Sequence, residues 1–484
     1  HWIPMMQFSR EINRLLLAVL AIFSLVAVSA AYWSIVGADT ILERPDNPRR
    51  VEAEISIQRG SIFDRNGTIL VKSTTNDQDI LVRKYFYPEM NSALGYFSQR
   101  YGVGGAEAAY DPILRGDDLA HDWNTYFEQK LLHRPQEGSD VRLTFDLAIQ
   151  QTLAEAMDGH QGAAVVLAVP SGEVLAMISL PTFDPNQLDA QWEQLSQAEG
   201  KPFFNRVLQG NYQPGGNLQT PLVAAAILAG ESLDTPIENA TRSIDLENIQ
   251  IQCAVVLPPQ TLTLREAYAF GCAYPFVQLG DALGIETVQA AYNTFGLGTL
   301  PTLPGFVTVP PNQATATPEL RIIDDSNLTD NVLGQAHITI NPLEMAMMAA
   351  AIVNDGNAPQ PYTLLEVKRP KANTWEESDG HAASLPFMTA NTARQLQDMM
   401  RLAVAEGASQ NAARPNIDIG GHAALAYSGE EVQAWFVGFT TLGGRRGIAV
   451  AIVLENSDDP GLAADIGGTV LAAAHQRLQE NNGS

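Results

Sequence analysis

The run from Leu15 to Val36 is the one long apolar stretch in this chain of 484 residues. Its 22 residues, at about 1.5 Å of rise each, cover a hydrocarbon core of about 30 Å as a helix. Such a segment fixes topology before anything else is known. Residues 1–14 stay on one side of a membrane and everything after residue 36 folds on the other. Arg10 and Arg14 precede the run, which puts the N-terminal tail in the cytoplasm. Tyr32 and Trp33 suit the far interface. Val28-Ser29-Ala30 resembles the small-residue site of a cleaved signal peptide. The run continues past Ala30, so an uncleaved single-pass anchor is the expected form.

Charge and cysteine count narrow what the outer part does. The formal net charge is −25, from 54 acidic and 29 basic residues. Nothing in that balance neutralises phosphates, so nucleic acid is not an expected partner. The cysteines are Cys253 and Cys272 alone, which excludes a disulfide scaffold and a thiolate zinc site. In an oxidising compartment the two can form one bond. Two separately buried thiols fit the sequence equally well. No metal-binding, Walker or dinucleotide fingerprint is present, and no cofactor is expected.

After a polar linker, Glu43 to Pro48, the chain reads as two regions. Asn66-Gly67, between Ile62-Phe63 and Ile69-Leu70, predicts a hairpin with a type I′ turn. Arg59 and Asp64 are expected to pair across it. Past Asp140 the pattern changes. Phe145 to Met157 predicts a helix with Asp146 and Glu155 on its polar faces. Ala163–Leu167 and Glu173–Ile178 predict a hairpin through Pro170-Ser171-Gly172. Pro221 to Leu228 is an apolar helix. Asn341-Pro342 opens another, with Pro in the first turn, that runs to Val353 and stops at Asn354-Asp355-Gly356. Gln433–Phe439 and Gly447–Leu454 read as adjacent strands, and Leu471–Leu478 as a closing helix. The pattern by itself gives an α+β protein.

Three short stretches bear on chemistry. The first is Asn205-Arg206 followed by Tyr212-Gln213-Pro214-Gly215-Gly216-Asn217-Leu218-Gln219. The second is Phe270-Gly271-Cys272-Ala273-Tyr274. The third is Ile419-Gly420-Gly421-His422-Ala423-Ala424-Leu425-Ala426. In that order, with these flanks, they resemble the S-x-x-K, S-x-N and K-T-G segments of class B penicillin-binding proteins. Other stretches support the register. They are Arg59-Gly60 to Asp64-Arg65-Asn66-Gly67, Gly104-Gly105 to Glu107, Tyr110 and Asp111, Leu333-Gly334-Gln335 to Asn341-Pro342-Leu343, and Ala434-Trp435-Phe436. The resemblance covers nearly the whole chain. It implies a tail at 1–14, a membrane helix at 15–36, a pedestal domain at 37–138 and a transpeptidase-like domain at 139–484. That last domain is expected to have helices on both sides of an antiparallel sheet.

Measured against that pattern, the reactive residues are missing. Gly216 stands at the serine nucleophile and Gln219 at the lysine that helps deprotonate it. Gly271 and Ala273 stand at the Ser and Asn of the second motif. His422, Ala423 and Ala424 stand at the Lys, Thr and Gly of the third. Glycine has no group to attack with and glutamine is no base near neutral pH. His422 is a base without a nucleophile. A shifted third motif at Tyr427-Ser428-Gly429 leaves too few residues before Trp435.

The leading expectation is therefore a protein that is not an enzyme. It is read as a catalytically inactive member of the family at the outer face of a bacterial cytoplasmic membrane, where it scaffolds or activates a polytopic peptidoglycan glycosyltransferase. Two alternatives stand beside it: an active peptidoglycan D,D-transpeptidase with displaced catalytic residues, and a sensor that holds muropeptide noncovalently in the cleft.

Overall fold

The computed structural model describes residues 8–35, 57–76, 81–118, 135–246, 249–297, 301–307, 328–335, 338–378, 383–428 and 431–480. The linker at 43–48, Val36 and Gly429 lie outside them. By contacts the chain forms two units, one of residues 1–58 with 121–136, the other of 59–120 with 137–484. In the first, helix α1 spans Phe8–Ile35. Its stretch Ile12–Ala30 has a mean hydropathy of 2.2 and is long and apolar enough to cross a membrane.

The second unit opens with a six-stranded sheet. Strands β1 (Ile62–Phe63), β2 (Ile69–Thr75) and β3 (Leu81–Tyr85) are joined at one side by β4 (Asp140–Leu143), which pairs with β1 in parallel. The hairpin expected at Asn66-Gly67 is there, with a different turn. Gly67 alone has positive φ, and its N–H closes on the Asp64 carbonyl at 3.1 Å. A type I′ turn needs both central residues there. The reason lies in Asp64, whose Oδ1 accepts from the N–H groups of Asn66 and Thr68 at 2.9 and 2.7 Å.

Asp64 is thus occupied with its own turn, and the expected Arg59–Asp64 pair does not form. Arg59 reaches Glu107 Oε2 at 2.8 Å and Asp111 instead. Glu107 is fully buried and also takes Arg83 at 2.6 Å. Burial works to raise its pKa, but the Arg83 and Arg59 cations outweigh that and hold the carboxyl below its usual range. This buried cluster ties the strands to the short helices at Gly105–Ala109 and Asp111–Arg115.

Asp146 also departs from expectation. It is fully buried at the N-cap of α2 (Leu147–Ala156). Its carboxylate accepts from Ala148 N–H, from Asn66 Nδ2 at 2.9 Å and from Arg477 at 3.4 Å. One buried acid so joins the hairpin turn, the helix and the C-terminal helix.

The rest is a five-stranded antiparallel sheet. Strands β5 (Gly162–Val169) and β6 (Val174–Leu180) form the hairpin read from the sequence. The other three are β7 (Ile419–Ser428), β8 (Glu431–Gly443) and β9 (Arg446–Glu455), in the order β7-β8-β9-β5-β6. Both faces are covered, which is why the strands read as unbroken apolar runs. Alternation divides the side chains between two cores. Ala449, Ala451 and Val453 join the core of α3 (Pro342–Val353); Ile448, Val450 and Ile452 join that of α2 and of α4 (Pro460–Glu480). Helix α3 is buried over all twelve residues, and Asn341 and Glu344 close its start as a capping box. Helix α4 begins eleven residues before the expected Leu471. This is the α+β fold expected, with helices on both sides of the sheet.

Candidate active site

The first motif lies at the start of a buried helix. A short 3₁₀ turn over Gly215–Leu218 runs into the helix Gln219–Ala229, whose residues from Gln219 to Ala226 are buried. Gly215 has φ of +55°, and a Cβ there would meet the Leu425 carbonyl at 2.2 Å. Only glycine serves at that position. Gly216 differs. Its backbone does not require glycine, and a Cβ would stand 3.2 Å from Ala424 Cβ and 3.7 Å from Gln219 Nε2.

The frame around the motif is held by contacts between segments far apart in sequence, and Glu455, where two of them meet, lies in none of the motif stretches. Arg206 Nε and Tyr212 OH both meet Glu455 Oε1, at 2.8 and 2.6 Å. Trp435 Nε1 donates to the Gln213 carbonyl at 3.2 Å. Tyr212 exchanges backbone hydrogen bonds with Ile340. The flanks that carry the resemblance are therefore structural parts, each with a distant partner.

The structure brings the three motifs together. One small cleft is lined by Gly216 and Gln219, by Gly271 and Ala273, and by Ala424, along with Phe276, Gln335 and Tyr427. Ala423 and His422 point elsewhere. Ala423 is buried, and its N–H donates to Ser409 Oγ at 2.9 Å. His422 is buried behind the cleft, with its Nε2 3.2 Å from the Gly216 carbonyl and its ring stacked on Tyr268 at 4.3 Å between centroids. Burial pulls its pKa down to about 4, against a small opposing pull from the Gly216 carbonyl. It is neutral at pH 7, and the hydrogen bond makes Nε2 the protonated nitrogen. Tyr268 OH in turn is hydrogen-bonded to Thr220 Oγ1 at 2.9 Å.

Among the described residues the cleft has no charged lining residue, and Tyr427 carries the one hydroxyl. Burial, with Asp458 nearby, raises the Tyr427 pKa and disfavours the phenolate. The volume is about 30 Å³, room for a water molecule. Ile251, Gln252 and Ala254 close one side. Of the two readings left open for the cysteines, the structure has the bonded one: Cys253 and Cys272 form a disulfide. Among the described residues no group of three or more His, Cys, Asp or Glu is placed to hold a metal ion.

Known proteins match this chain along its length. The penicillin binding protein transpeptidase domain matches residues 162–474, and the penicillin binding protein A dimerisation domain matches 59–141. The peptidoglycan D,D-transpeptidase PbpA of Mycolicibacterium smegmatis is 30% identical over 96% of this chain and 98% of its own. PbpA of Mycobacterium tuberculosis is 29% identical over 96% and 99%. A ceftriaxone acyl-enzyme complex of penicillin-binding protein A from M. tuberculosis superposes with a TM-score of 0.74 at 27% identity, over 88% of this chain and 99% of that one.

These names correct the expectation that the chain is not an enzyme. Relatives that match it end to end are named as D,D-transpeptidases, and one of them is seen as an acyl-enzyme. The expectation rested on seven positions, whereas the match rests on the whole chain. By its fold, its motif frames and these full-length matches, the chain belongs to the penicillin-binding protein transpeptidase family.

Proposed function

We propose that this protein serves the stem-peptide crosslinking step of peptidoglycan synthesis, at the outer face of a cytoplasmic membrane. The observation that supports this best is the end-to-end match to proteins named for that reaction. The intact frame supports it too: Glu455, Trp435 and Ile340 still hold the first motif where the second and third converge on it. The test is the muropeptide profile of cells lacking the chain. The crosslinked fraction falls and returns with the wild-type gene. An unchanged profile overturns the reading.

Within this reading the chain acts as a D,D-transpeptidase whose reactive group is not at position 216, because Gly216 offers no hydroxyl. Acyl transfer then needs another nucleophile near the cleft. Tyr427 is the first place to look, since it lines the cleft. Labelling the full chain with a fluorescent penicillin and mapping the modified peptide locates that group. An adduct on a peptide of the cleft supports acyl transfer. The absence of any adduct opposes it.

A second reading has its own observation, the small cleft of about 30 Å³ with no charged side chain among its described lining residues. It favours a contribution through contact, in which the anchor and pedestal engage a polytopic peptidoglycan glycosyltransferase. Replacing residues 15–36 with an unrelated apolar span tests it. Co-purification of the glycosyltransferase drops while the outer domains keep their melting temperature. Equal recovery with the replaced span rules out the anchor as the contact.

A further inference from the structure

The disulfide joins two walls of the cleft. Cys272 sits between Gly271 and Ala273, and Cys253 sits between Gln252 and Ala254; all four neighbours line the cavity. Gly271 has φ of +62°, and a Cβ there would meet Ala254 Cβ at 2.8 Å, so the two segments are in close contact. Ala254 N–H donates to the Phe270 carbonyl at 3.1 Å. The hairpin that leads into this wall, Ile244–Leu246 with Ile249–Ile251, forms a two-stranded sheet of its own. Its strand residues are half-buried or exposed. A two-stranded hairpin with so little core is marginal unless something else holds it.

The arrangement has a cost. Gln219 lines the cleft, is 3% exposed, and its Oε1 has no hydrogen-bond partner. An acceptor buried without a donor is unfavourable, and an incoming amide N–H removes that penalty. The disulfide fastens one of the walls that line the same cleft.

We propose that the Cys253–Cys272 disulfide is a clamp that holds the 249–254 wall over the cleft, and that its reduction by a dithiol opens the cleft to a peptide. This rests on the reading above that the cleft is the working site. The exchange is balanced. A thiolate of the dithiol attacks one sulfur, forming a mixed disulfide and releasing the other cysteine. The second thiol of the dithiol then displaces the first cysteine. Two electrons and two protons pass from the dithiol to Cys253 and Cys272, and the dithiol becomes a disulfide.

Amide hydrogen exchange on the full chain in detergent tests this, with and without dithiothreitol, and with thiol alkylation to count the cysteines released. In the reduced protein, exchange over 249–256 and 270–274 speeds up about tenfold or more, as for a local opening, while Pro342–Val353 stays protected. The double variant Cys253→Ser, Cys272→Ser behaves the same way without reductant. Three outcomes overturn the proposal: identical exchange in both states, cysteines that resist dithiothreitol in the native protein, or loss of protection in Pro342–Val353 in both the reduced and the double-variant proteins, which makes the bond a structural staple. None of these readouts depends on turnover. A muropeptide profile that overturns the crosslinking role leaves the exchange result standing, and the reverse also holds.

Discussion

His422 Nε2 lies 3.2 Å from the carbonyl oxygen of Gly216, so the third motif is fastened to the first through the back of the cleft. His422 is therefore a neutral ring that braces the backbone and brings no charge to the cavity.

That bracing has a pH signature. The folded protein holds the His422 pKa at about 4, against about 6.5 in an unfolded chain. Between those values the unfolded state binds the extra proton, so stability rises with pH across the window. The histidine costs nothing above the unfolded value. Its penalty grows as pH falls and levels off below the folded value, at about 3 kcal/mol. Urea unfolding between these pH values should show the slope, and His422→Gln should flatten it.

Gln219→Lys should destabilise the fold. The side chain is 3% exposed and lines a cleft with no carboxylate among its described residues. An ammonium there lacks a partner and its pKa falls. The expected loss at neutral pH is about 3 kcal/mol or more. It should shrink as pH rises, because the unfolded lysine holds its proton longer than the folded one. Thermal melts at neutral and alkaline pH measure both the loss and its sign.

Gly216→Ser should be tolerated. The backbone there is not left-handed, and the new Cβ needs only a few tenths of an ångström from Ala424. A change within about 1 kcal/mol is expected. The double change Gly216→Ser, Gln219→Lys should not by itself raise β-lactam acylation rates, since Gly271, Ala273 and Ala423 bring no polar side chain and catalytic groups act as a unit. Stopped-flow acylation of the variant and the parent decides this.

Glu107→Gln should weaken the first sheet. It leaves Arg59 and Arg83, both with side chains 3% exposed, without their shared carboxylate. Breaking a buried pair in this way costs about 3–5 kcal/mol. Denaturant unfolding, followed by exchange over 59–115, should show the loss there first.

What depends on neighbours along the chain was legible in the residues alone. The hairpin at 162–180, the helix from Pro342 to Val353 and the strands either side of residue 445 follow from periodicity and Pro and Gly placement. The three motif frames were legible for the same reason, as was the membrane-length run at the N-terminus. Tertiary structure decided what depends on partners far away in sequence. Arg59 chose Glu107, 48 residues on, because Asp64 was already satisfied by its own turn. Asp146 became a buried N-cap because Asn66 and Arg477 meet it from opposite ends of the chain. The cysteine pairing, the neutral buried state of His422 and the placing of the 249–254 wall beside the cleft share that origin. Hydrophobic period and turn chemistry are local and leave a mark in sequence. Charge pairing, desolvation and cavity volume depend on what the fold brings within a few ångströms.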